Sequence, residues 1–222
     1  MSTPIRVLLV DDQNLVREGI RSLLALSAEV EVVGECADGD EALEFLAGQE
    51  ADVVLLDLRM PGRDGIATLH SMRERGIVAP VLVLTTFDDD ELVLGALQAG
   101  AKGYLLKDVT LEQLLGGIRT LAAGGSLLQP AVTERLLRAF ARPAADVTPH
   151  PKALTGGELD VLRLAASGWS NRQIAQGLHL AEGTVKNRMS SVLLKLGVND
   201  RIKAVLKALE SGILATPPNE RR

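Results

Sequence analysis

The chain has 222 residues, 46% of them hydrophobic and 2% aromatic, so Val, Leu, Ile and Ala must pack its one or two cores. Its single cysteine, Cys36, excludes an intramolecular disulfide framework and a cysteine zinc site, and its scattered histidines show no metal-ligand spacing. No basic region or long apolar segment follows Met1. We therefore expect neither a signal peptide nor a membrane span, and a reducing cytoplasm fits.

The net charge of −5 is unevenly distributed along the chain. Residues 1–149 carry a net charge of −10, whereas residues 150–222 carry +5. Such sign asymmetry predicts two domains with different partners, and the basic part is the candidate for binding nucleic acid. Ordinary surface variation is the alternative explanation for the charge difference taken by itself.

Short apolar runs alternate with amphipathic stretches in the first half of the chain. The predicted strands and helices are, in order, strand 5–10, helix 15–26, strand 30–35, helix 40–47, strand 53–56, helix 64–75, strand 81–85, helix 90–99, strand 103–106 and helix 110–123. Runs rich in Val, Ile and Leu suit strands buried on both faces. Five strands that alternate with five helices predict an α/β domain, a doubly wound five-stranded parallel sheet with the flavodoxin-like strand order. Right-handed crossovers then place helices on both faces of the sheet.

The first domain is followed by three predicted segments: a linker, a helical domain and a tail. Residues 1–125 form the first domain, because Gly124 and Gly125 end its last helix. Residues 126–152 are a linker with one amphipathic helix over 130–140 and a proline-bearing stretch after it. Residues 153–215 have a purely helical pattern, and residues 216–222 form a flexible tail.

Polar residues follow the predicted strands at their carboxyl ends, where open α/β sheets collect function. They are Asp11 and Asp12 after the first strand, Asp57 after the third, Thr85 at the end of the fourth and Lys107 after the fifth. Three close carboxylates repel one another unless a cation lies among them, and Mg²⁺ prefers oxygen ligands. A lysine and a hydroxyl beside them suit a phosphoryl group. We therefore predict that Asp57 forms an aspartyl-phosphate, although each aspartate taken singly could be a loop or helix-cap residue.

These residues resemble the receiver domain of response regulators over about residues 5–123. The resemblance is carried by Asp11-Asp12, Asp57-Leu58-Arg59-Met60-Pro61, Asp64-Gly65, Thr85 and Gly103-Tyr104-Leu105-Leu106-Lys107. It implies that a sensor histidine kinase phosphorylates Asp57 and that the Arg59 carbonyl joins Asp11, Asp12 and Asp57 as a Mg²⁺ ligand. It also implies that Thr85 and Tyr104 are switch residues, Thr85 turning toward the phosphoryl group and Tyr104 moving inward.

Two features depart from the usual receiver pattern. Asp108 follows Lys107, where many receivers have a proline, so Lys107 must be positioned without one. Arg59 and Phe87 are large side chains at positions that, in receivers, flank the path of water to the phosphoryl group. We therefore predict slow loss of the phosphoryl group.

The basic segment predicts four helices. Thr155 with Glu158 and Ser170 with Gln173 fit two capping boxes, the second opening a short helix that ends at Leu178. A tight turn leads to a third helix, 182–196, and a fourth covers 201–210. Two helices separated by a short turn describe a helix-turn-helix, whose second helix reads bases in the major groove of DNA.

The third helix divides into a core face and a polar face. Val185, Met189, Val192 and Leu196 have core spacing, and Lys186, Asn187 and Ser190 are the candidates for base contacts. The candidates for phosphate contacts are Arg172, Thr184, Arg188, Lys195 and Arg201. A small helical bundle with a solvated charge stripe is the alternative interpretation.

Residues 154–214 resemble the LuxR-type DNA-binding domain. The resemblance is carried by Leu154-Thr155, Glu158, Val161-Leu162, Gly168, Ser170-Asn171, Ile174-Ala175, Gly183-Thr184-Val185-Lys186-Asn187 and Lys195-Leu196-Gly197-Val198. In that family the last of four helices mediates dimerisation, which makes Val205 and Leu209 interface candidates. This chain departs from the family pattern at four places. Gly156-Gly157 replaces a frequent Pro-Arg pair, and Ala181 stands where the family usually has a serine N-cap. Arg188 replaces the usual histidine, and Ser190 lies where some members carry a base-reading lysine.

Together the two resemblances describe a NarL/FixJ-type response regulator. It would be phosphorylated by a sensor histidine kinase, dimerise and bind promoter DNA, with RNA polymerase as a further partner. It would not be an enzyme beyond its own phosphotransfer and dephosphorylation. One alternative is a phosphohydrolase, but such enzymes usually need an aspartate where Arg59 stands. Another is a DNA-binding module that works without phosphorylation.

Overall fold

The structure is a computed structural model that describes residues 3–85, 90–128 and 154–214. The chain forms two compact units, Met1–Leu127 and Leu128–Arg222. The predicted linker helix over 130–140, Phe87 and the predicted tail 216–222 lie outside the described residues. None of the helices in the described ranges is both long and apolar enough to cross a membrane.

The first unit contains the predicted parallel sheet. Its strands are β1 (Ile5–Val10), β2 (Val30–Cys36), β3 (Val53–Leu56), β4 (Val81–Thr85), β5 (Gly103–Leu106) and β6 (Leu127–Leu128), in the order β2-β1-β3-β4-β5-β6. The first five strands pair in parallel, so the predicted five-stranded sheet is confirmed. The two-residue β6 was not predicted; it extends the sheet edge, and the Leu127 N–H donates to the Lys102 carbonyl at 2.9 Å.

Five helices cover the sheet of the first unit. They are α1 (Asn14–Leu24), α2 (Gly39–Gly48), α3 (Gly65–Glu74), α4 (Asp90–Ala99) and α5 (Leu111–Ala122). All four residues of β3 are buried, as expected of a central parallel strand. The core on one side of the sheet joins Leu9, Leu55 and Leu105 of the strands to Ile118 and Leu121 of α5. The aliphatic packing required by the low aromatic content is therefore present.

The strand register determines which residues meet beyond the sheet. Val10 is opposite Leu56 in the β1–β3 pair, and Thr85 is opposite Leu106 in the β4–β5 pair. Because the strands are parallel, the residues that follow them emerge at one edge.

Residues 154–214, the described part of the second unit after Leu128, are helical, with α6 (Gly156–Ala166), α7 (Asn171–Gly177), α8 (Glu182–Leu196) and α9 (Arg201–Glu210). Both predicted capping boxes are present, at Thr155 and at Ser170. Ala181 provides no side-chain cap for α8, as the sequence indicated. Gly197, with a φ of 67°, ends α8 in the left-handed region. The buried core includes Val161, Leu162, Ile174, Val185, Val192 and Ile202.

The turn between α7 and α8 uses a strained residue. His179 has a φ of 53°, in the region that favours glycine. The N–H groups of His179 and Leu180 donate to the carbonyls of Gln176 and Ala175, at 3.3 and 2.8 Å. This pair of bonds is a Schellman motif, which closes α7 and redirects the chain into α8.

Candidate phosphoacceptor pocket and DNA-binding helices

Asp57 is held in place by the end of β1 and by its own loop. Its N–H donates to the Val10 carbonyl at 2.9 Å, and its Oδ1 accepts the Leu58 N–H at 2.7 Å. The residue is only 4% exposed. A Cβ on Gly65 would lie 2.4 Å from the Asp57 carbonyl oxygen, so only glycine lets α3 begin this close to the loop. The Asp64-Gly65 pair therefore shapes the backbone behind Asp57.

Lys107 joins two of the predicted aspartates. Its Nζ lies 2.5 Å from Asp11 Oδ2 and 2.7 Å from Asp57 Oδ2, and all three side chains are almost fully buried. Burial alone would lower the pKa of Lys107, but the hydrogen bonds to Asp11 and Asp57 outweigh it and raise the pKa. The Lys107 N–H donates to the Thr85 carbonyl at 2.8 Å. Pairing with β4 thus positions this lysine without a following proline.

Asp12 completes a cluster of three carboxylates. One oxygen each from Asp11, Asp12 and Asp57 lies within 4.8 Å of the others. In the described part of the chain, Asp12 Oδ1 is the one buried side-chain polar atom without a hydrogen-bond partner. A buried oxygen without a hydrogen-bond partner indicates a bound ligand, and three carboxylate oxygens suit Mg²⁺. These residues therefore fit a magnesium ion.

The predicted switch residues, Thr85 and Tyr104, lie on the two strands beside the pocket. Each is 1% exposed. Thr85 ends β4, and Tyr104 is opposite Val83 in the middle of the β4–β5 pair. Tyr104 is thus in an inward position, and the switch role of both residues stays a prediction. Arg59, two residues after Asp57, has an exposed side chain, and its backbone N–H lies 3.4 Å from Asp57 Oδ1.

The pocket as a whole brings three carboxylates together with the Lys107 ammonium. Asp11, Asp12, Asp57 and Lys107 converge as predicted, although they come from three different strand ends. A buried carboxylate with a fixed ammonium and room for a divalent cation is suited to accept a phosphoryl group.

In the helical unit, α8 exposes the candidates for base contacts. Lys186, Asn187 and Ser190 are exposed, and Thr184 is half-buried. Lys186 lies 3.5 Å from Glu182 in an exposed pair that is worth little, so its ammonium is available to a polyanion. The Ser190 hydroxyl donates to the Lys186 carbonyl at 3.0 Å. Arg172 is exposed on α7.

Three candidates for phosphate contacts instead have partners inside the unit. Lys195 Nζ lies 2.7 Å from Glu158 Oε2, and Arg188 Nη1 lies 3.5 Å from the Gly157 carbonyl. Arg201 donates to the Trp169 carbonyl. Burial lowers the pKa of Arg201 to about 10, which leaves its guanidinium charged at neutral pH. Their roles in DNA binding stay predictions, and each of the three already has a contact inside the unit.

The two dimerisation candidates need a correction. Val205 is 0% exposed and Leu209 is 5% exposed, because both side chains pack into the core of the unit. Neither side chain presents surface to a second copy. The outer side of α9 carries the exposed Lys207 and Glu210 instead.

Sequence reasoning gave Glu158 only its capping role and did not identify Ser191. Glu158 is 7% exposed, and its Oε1 accepts the Ser191 hydroxyl at 2.6 Å. The one available signal was the spacing of Ser191 and Lys195, which are one helical turn apart on α8. Their partner is distant along the chain, which that spacing does not reveal.

Comparison with known families and proteins assigns both units. The family of the response regulator receiver domain matches residues 7–119, and the luxR family of bacterial regulatory proteins matches residues 152–208. The nitrate/nitrite response regulator protein NarP of Escherichia coli is 41% identical, over 94% of this chain and 96% of its own length. The transcriptional regulatory protein DegU of Brevibacillus brevis is 34% identical, over 94% of both chains.

Solved structures agree over nearly the whole length. The response regulator ChrA of a heme-sensing two-component system is 35% identical with a TM-score of 0.54, covering 96% of this chain and 100% of its own. The two-component response regulator RcsB in complex with DNA is 28% identical with a TM-score of 0.57, covering 94% and 98%. The chain therefore belongs to the NarL/FixJ-type response regulators, transcriptional regulators that join a receiver domain to a LuxR-type DNA-binding domain.

Proposed function

We propose that Asp57 accepts a phosphoryl group from a sensor histidine kinase and that this event controls DNA binding by the helical domain. The observation that carries the proposal is the cluster around Asp57, where two more carboxylates and the Lys107 ammonium meet. Asp57 Oδ1 accepts the Leu58 N–H, so we assign Oδ2 as the nucleophile. Oδ2 forms the new bond to phosphorus as the bond to the kinase histidine nitrogen breaks, and the electron pair stays with that nitrogen.

The neighbouring residues then have distinct roles. Asp11, Asp12, Asp57 and the Arg59 carbonyl would hold Mg²⁺, which when bound neutralises charge on the phosphoryl oxygens. Lys107 transfers its hydrogen bond from Asp57 Oδ2 to a phosphoryl oxygen. Thr85 donates its hydroxyl to another, and Tyr104 fills the space beside it. Beyond its own phosphotransfer and dephosphorylation, we assign the protein no catalytic activity.

The proposed target is double-stranded promoter DNA. RcsB has been solved as dimers on DNA, and this chain exposes Lys186 and Asn187 on α8 and Arg172 on α7. We propose that the phosphorylated protein binds as a homodimer, so that two recognition helices meet two half-sites. Chromosomal DNA as the target places the protein in the cytoplasm, where RNA polymerase is a further proposed partner.

The test compares wild type, Asp57→Ala and Asp108→Asn, an exposed carboxylate outside the cluster. We expect acetyl phosphate with Mg²⁺ to add one phosphoryl mass to wild type and Asp108→Asn but not to Asp57→Ala. Genome-wide binding-site mapping in matched strains should then show sites that Asp57→Ala loses. Equal occupancy for Asp57→Ala and wild type would instead support a DNA-binding module that works without phosphorylation.

We further propose that the phosphoryl group is lost slowly, since Arg59 is a large residue two positions after Asp57, with an exposed side chain and a backbone N–H that lies 3.4 Å from Asp57 Oδ1. Arg59→Ala should shorten the lifetime of the phosphorylated protein by several-fold, as followed by intact mass. A lifetime unchanged by Arg59→Ala would contradict this proposal.

A further inference from the structure

A polar contact joins the first helix of the DNA-binding domain to its recognition helix. We call Glu158 of α6 with Ser191 and Lys195 of α8 the α6–α8 clamp. The Ser191 hydroxyl donates to Glu158 Oε1 at 2.6 Å, and Lys195 Nζ donates to Glu158 Oε2 at 2.7 Å. Glu158 Oε2 also accepts the Thr155 N–H at 2.7 Å in the capping box. The Glu158 carboxylate is therefore held by the N-cap residue of its own helix and by two side chains of α8.

We propose that Glu158 and Lys195 are positioning residues that fix the rotation of α8 and so decide which side chains face DNA. This inference rests on the proposed binding of promoter DNA. The side chains that α8 buries in the core, such as Val185, Val192 and Leu196, are apolar, and their burial is not directional. Hydrogen bonds are directional, and two of them one turn apart restrain both the rotation of the helix and its slide along its axis.

The clamp lies away from Lys186 and Ser190, whereas Asn187 is nearer to it, about 80° around the helix from Lys195. Lys195 is nine residues after Lys186, which is about 180° around a helix, and five after Ser190, about 140°. Anchoring α8 on the Lys195 side therefore directs Lys186 and Ser190 outward. Both are exposed, as this placement requires.

Charge keeps Lys195 in the clamp. The side chains of Lys195 and Glu158 are 22% and 9% exposed, so moving the ammonium to a DNA phosphate would leave a buried carboxylate without its cation. Burial alone would raise the pKa of Glu158, but the hydrogen bonds from Lys195, Ser191 and Thr155 outweigh it and lower the pKa to about 2. The carboxylate thus stays ionised at neutral pH. Lys195 accordingly contributes to DNA binding through the position of α8 and makes no phosphate contact.

Arg188 reinforces the same joint. A Cβ on Gly157 would lie 2.7 Å from Arg188 Nη1, so the glycine leaves room for the guanidinium along the first turn of α6. Gly157 and Arg188 are two of the positions at which the sequence departs from the LuxR-type pattern. The structure brings these two departures into contact.

The experiment measures how binding depends on salt, using the full-length protein and two labelled duplexes of equal length. One duplex is selected by the wild type from a random library, and the other is a scrambled version of it. Each phosphate contact that is lost reduces the slope of log affinity against log salt by about 1. We expect Lys195→Met to leave the slope on the scrambled duplex unchanged, whereas the control Arg172→Gln, an exposed cation of α7, lowers it by about 1.

On the selected duplex, Lys195→Met and Glu158→Gln should each lose about tenfold in affinity, and the double variant should lose no more than either single variant. Lys195→Arg, which keeps the ion pair, should restore most of the loss. Ser191→Ala, which removes one hydrogen bond of the clamp, serves if Glu158→Gln does not fold. Fluorescence of Trp169, the only tryptophan in the chain, reports folding of this domain.

Two results would overturn the clamp. One is a slope lowered by about 1 in Lys195→Met with equal losses on both duplexes, which would make Lys195 a phosphate contact. The other is unchanged affinity for the selected duplex in the folded variants. If the wild type selects no duplex from the library, the proposed sequence-specific DNA binding itself is wrong. That failure differs from both results above, in which the wild type does select a duplex.

Discussion

The acidic pocket of the receiver and the α6–α8 clamp both pair a lysine with buried carboxylates, yet their charge balance is opposite. In the pocket one ammonium serves two of three clustered carboxylates, and Asp12 Oδ1 is buried without a partner. In the clamp one carboxylate receives an ammonium, a hydroxyl and a backbone N–H. Unbalanced buried charge indicates a ligand site, whereas balanced buried charge indicates a structural joint.

Removing the pocket cation should give the largest effect. Lys107→Met leaves Asp11 and Asp57 without their shared partner, and we expect the receiver to lose about 4 kcal/mol of unfolding free energy in EDTA. Because a divalent cation can take over the neutralisation, Mg²⁺ should stabilise Lys107→Met more than it stabilises wild type. Urea denaturation followed by far-UV circular dichroism, with and without Mg²⁺, measures both quantities.

The control for this prediction is Arg73→Met, which removes an exposed cation from α3 of the same domain. It should change stability by less than about 0.5 kcal/mol and leave the response to Mg²⁺ unaltered. Equal Mg²⁺ responses in Lys107→Met and wild type would contradict the interpretation of the pocket as a cation site.

Crowding the backbone behind Asp57 should have the next largest effect. In Gly65→Ala the new Cβ would meet the Asp57 carbonyl oxygen at 2.4 Å, and we expect a loss of about 3 kcal/mol together with slower phosphorylation by acetyl phosphate. Gly19→Ala is the matched control, because it also lies in a receiver helix but a Cβ there has no neighbour within 4 Å. Gly19→Ala should raise the free energy of unfolding by up to about 1 kcal/mol. Similar losses in both variants would show that the tight approach at Gly65 is not the cause.

Acid should weaken the clamp within a defined pH range. The pKa of Glu158 is lowered from 4.5 to about 2 in the folded protein, so its stabilisation is complete above about pH 4.5 and is lost as the pH falls toward 2. We expect a loss of about 2 kcal/mol over this range, measured by guanidinium denaturation with Trp169 fluorescence. Glu158→Gln has nothing to titrate here and should flatten that part of the profile. A profile identical to wild type would assign the acid sensitivity to other groups.

The sequence predicted the receiver pocket better than the helical domain because the two depend on different information. The pocket residues follow strongly apolar strands, and parallel pairing then places Asp11, Asp57 and Lys107 at one edge without further knowledge. The clamp joins Glu158 to residues 33 and 37 positions away, and the capping box already accounted for that glutamate.

Two other features of the structure were also beyond local patterns. The spacing of Val205 and Leu209 on α9 is the same for a core face and for an interface, so the sequence could not tell that both are buried. The strand β6 has only two residues and follows Gly124-Gly125, which marked the end of the domain. Neither period nor length distinguishes so short a strand from a loop.

The smallest expected effect separates helix capping from charge in the DNA-binding domain. Ala181 gives α8 no side-chain cap, and a serine there could accept the N–H of Gly183 or Thr184. Ala181→Ser should therefore add about 1 kcal/mol to the stability of the helical domain. Trp169 fluorescence should show this as a higher midpoint of denaturation by guanidinium. Ala181→Val supplies side-chain bulk without an acceptor and should give no gain. Because the substitution changes no charge, the pH profile set by Glu158 should shift upward without changing shape. A gain that disappears below pH 4 would mean that the cap and the clamp are coupled through α8.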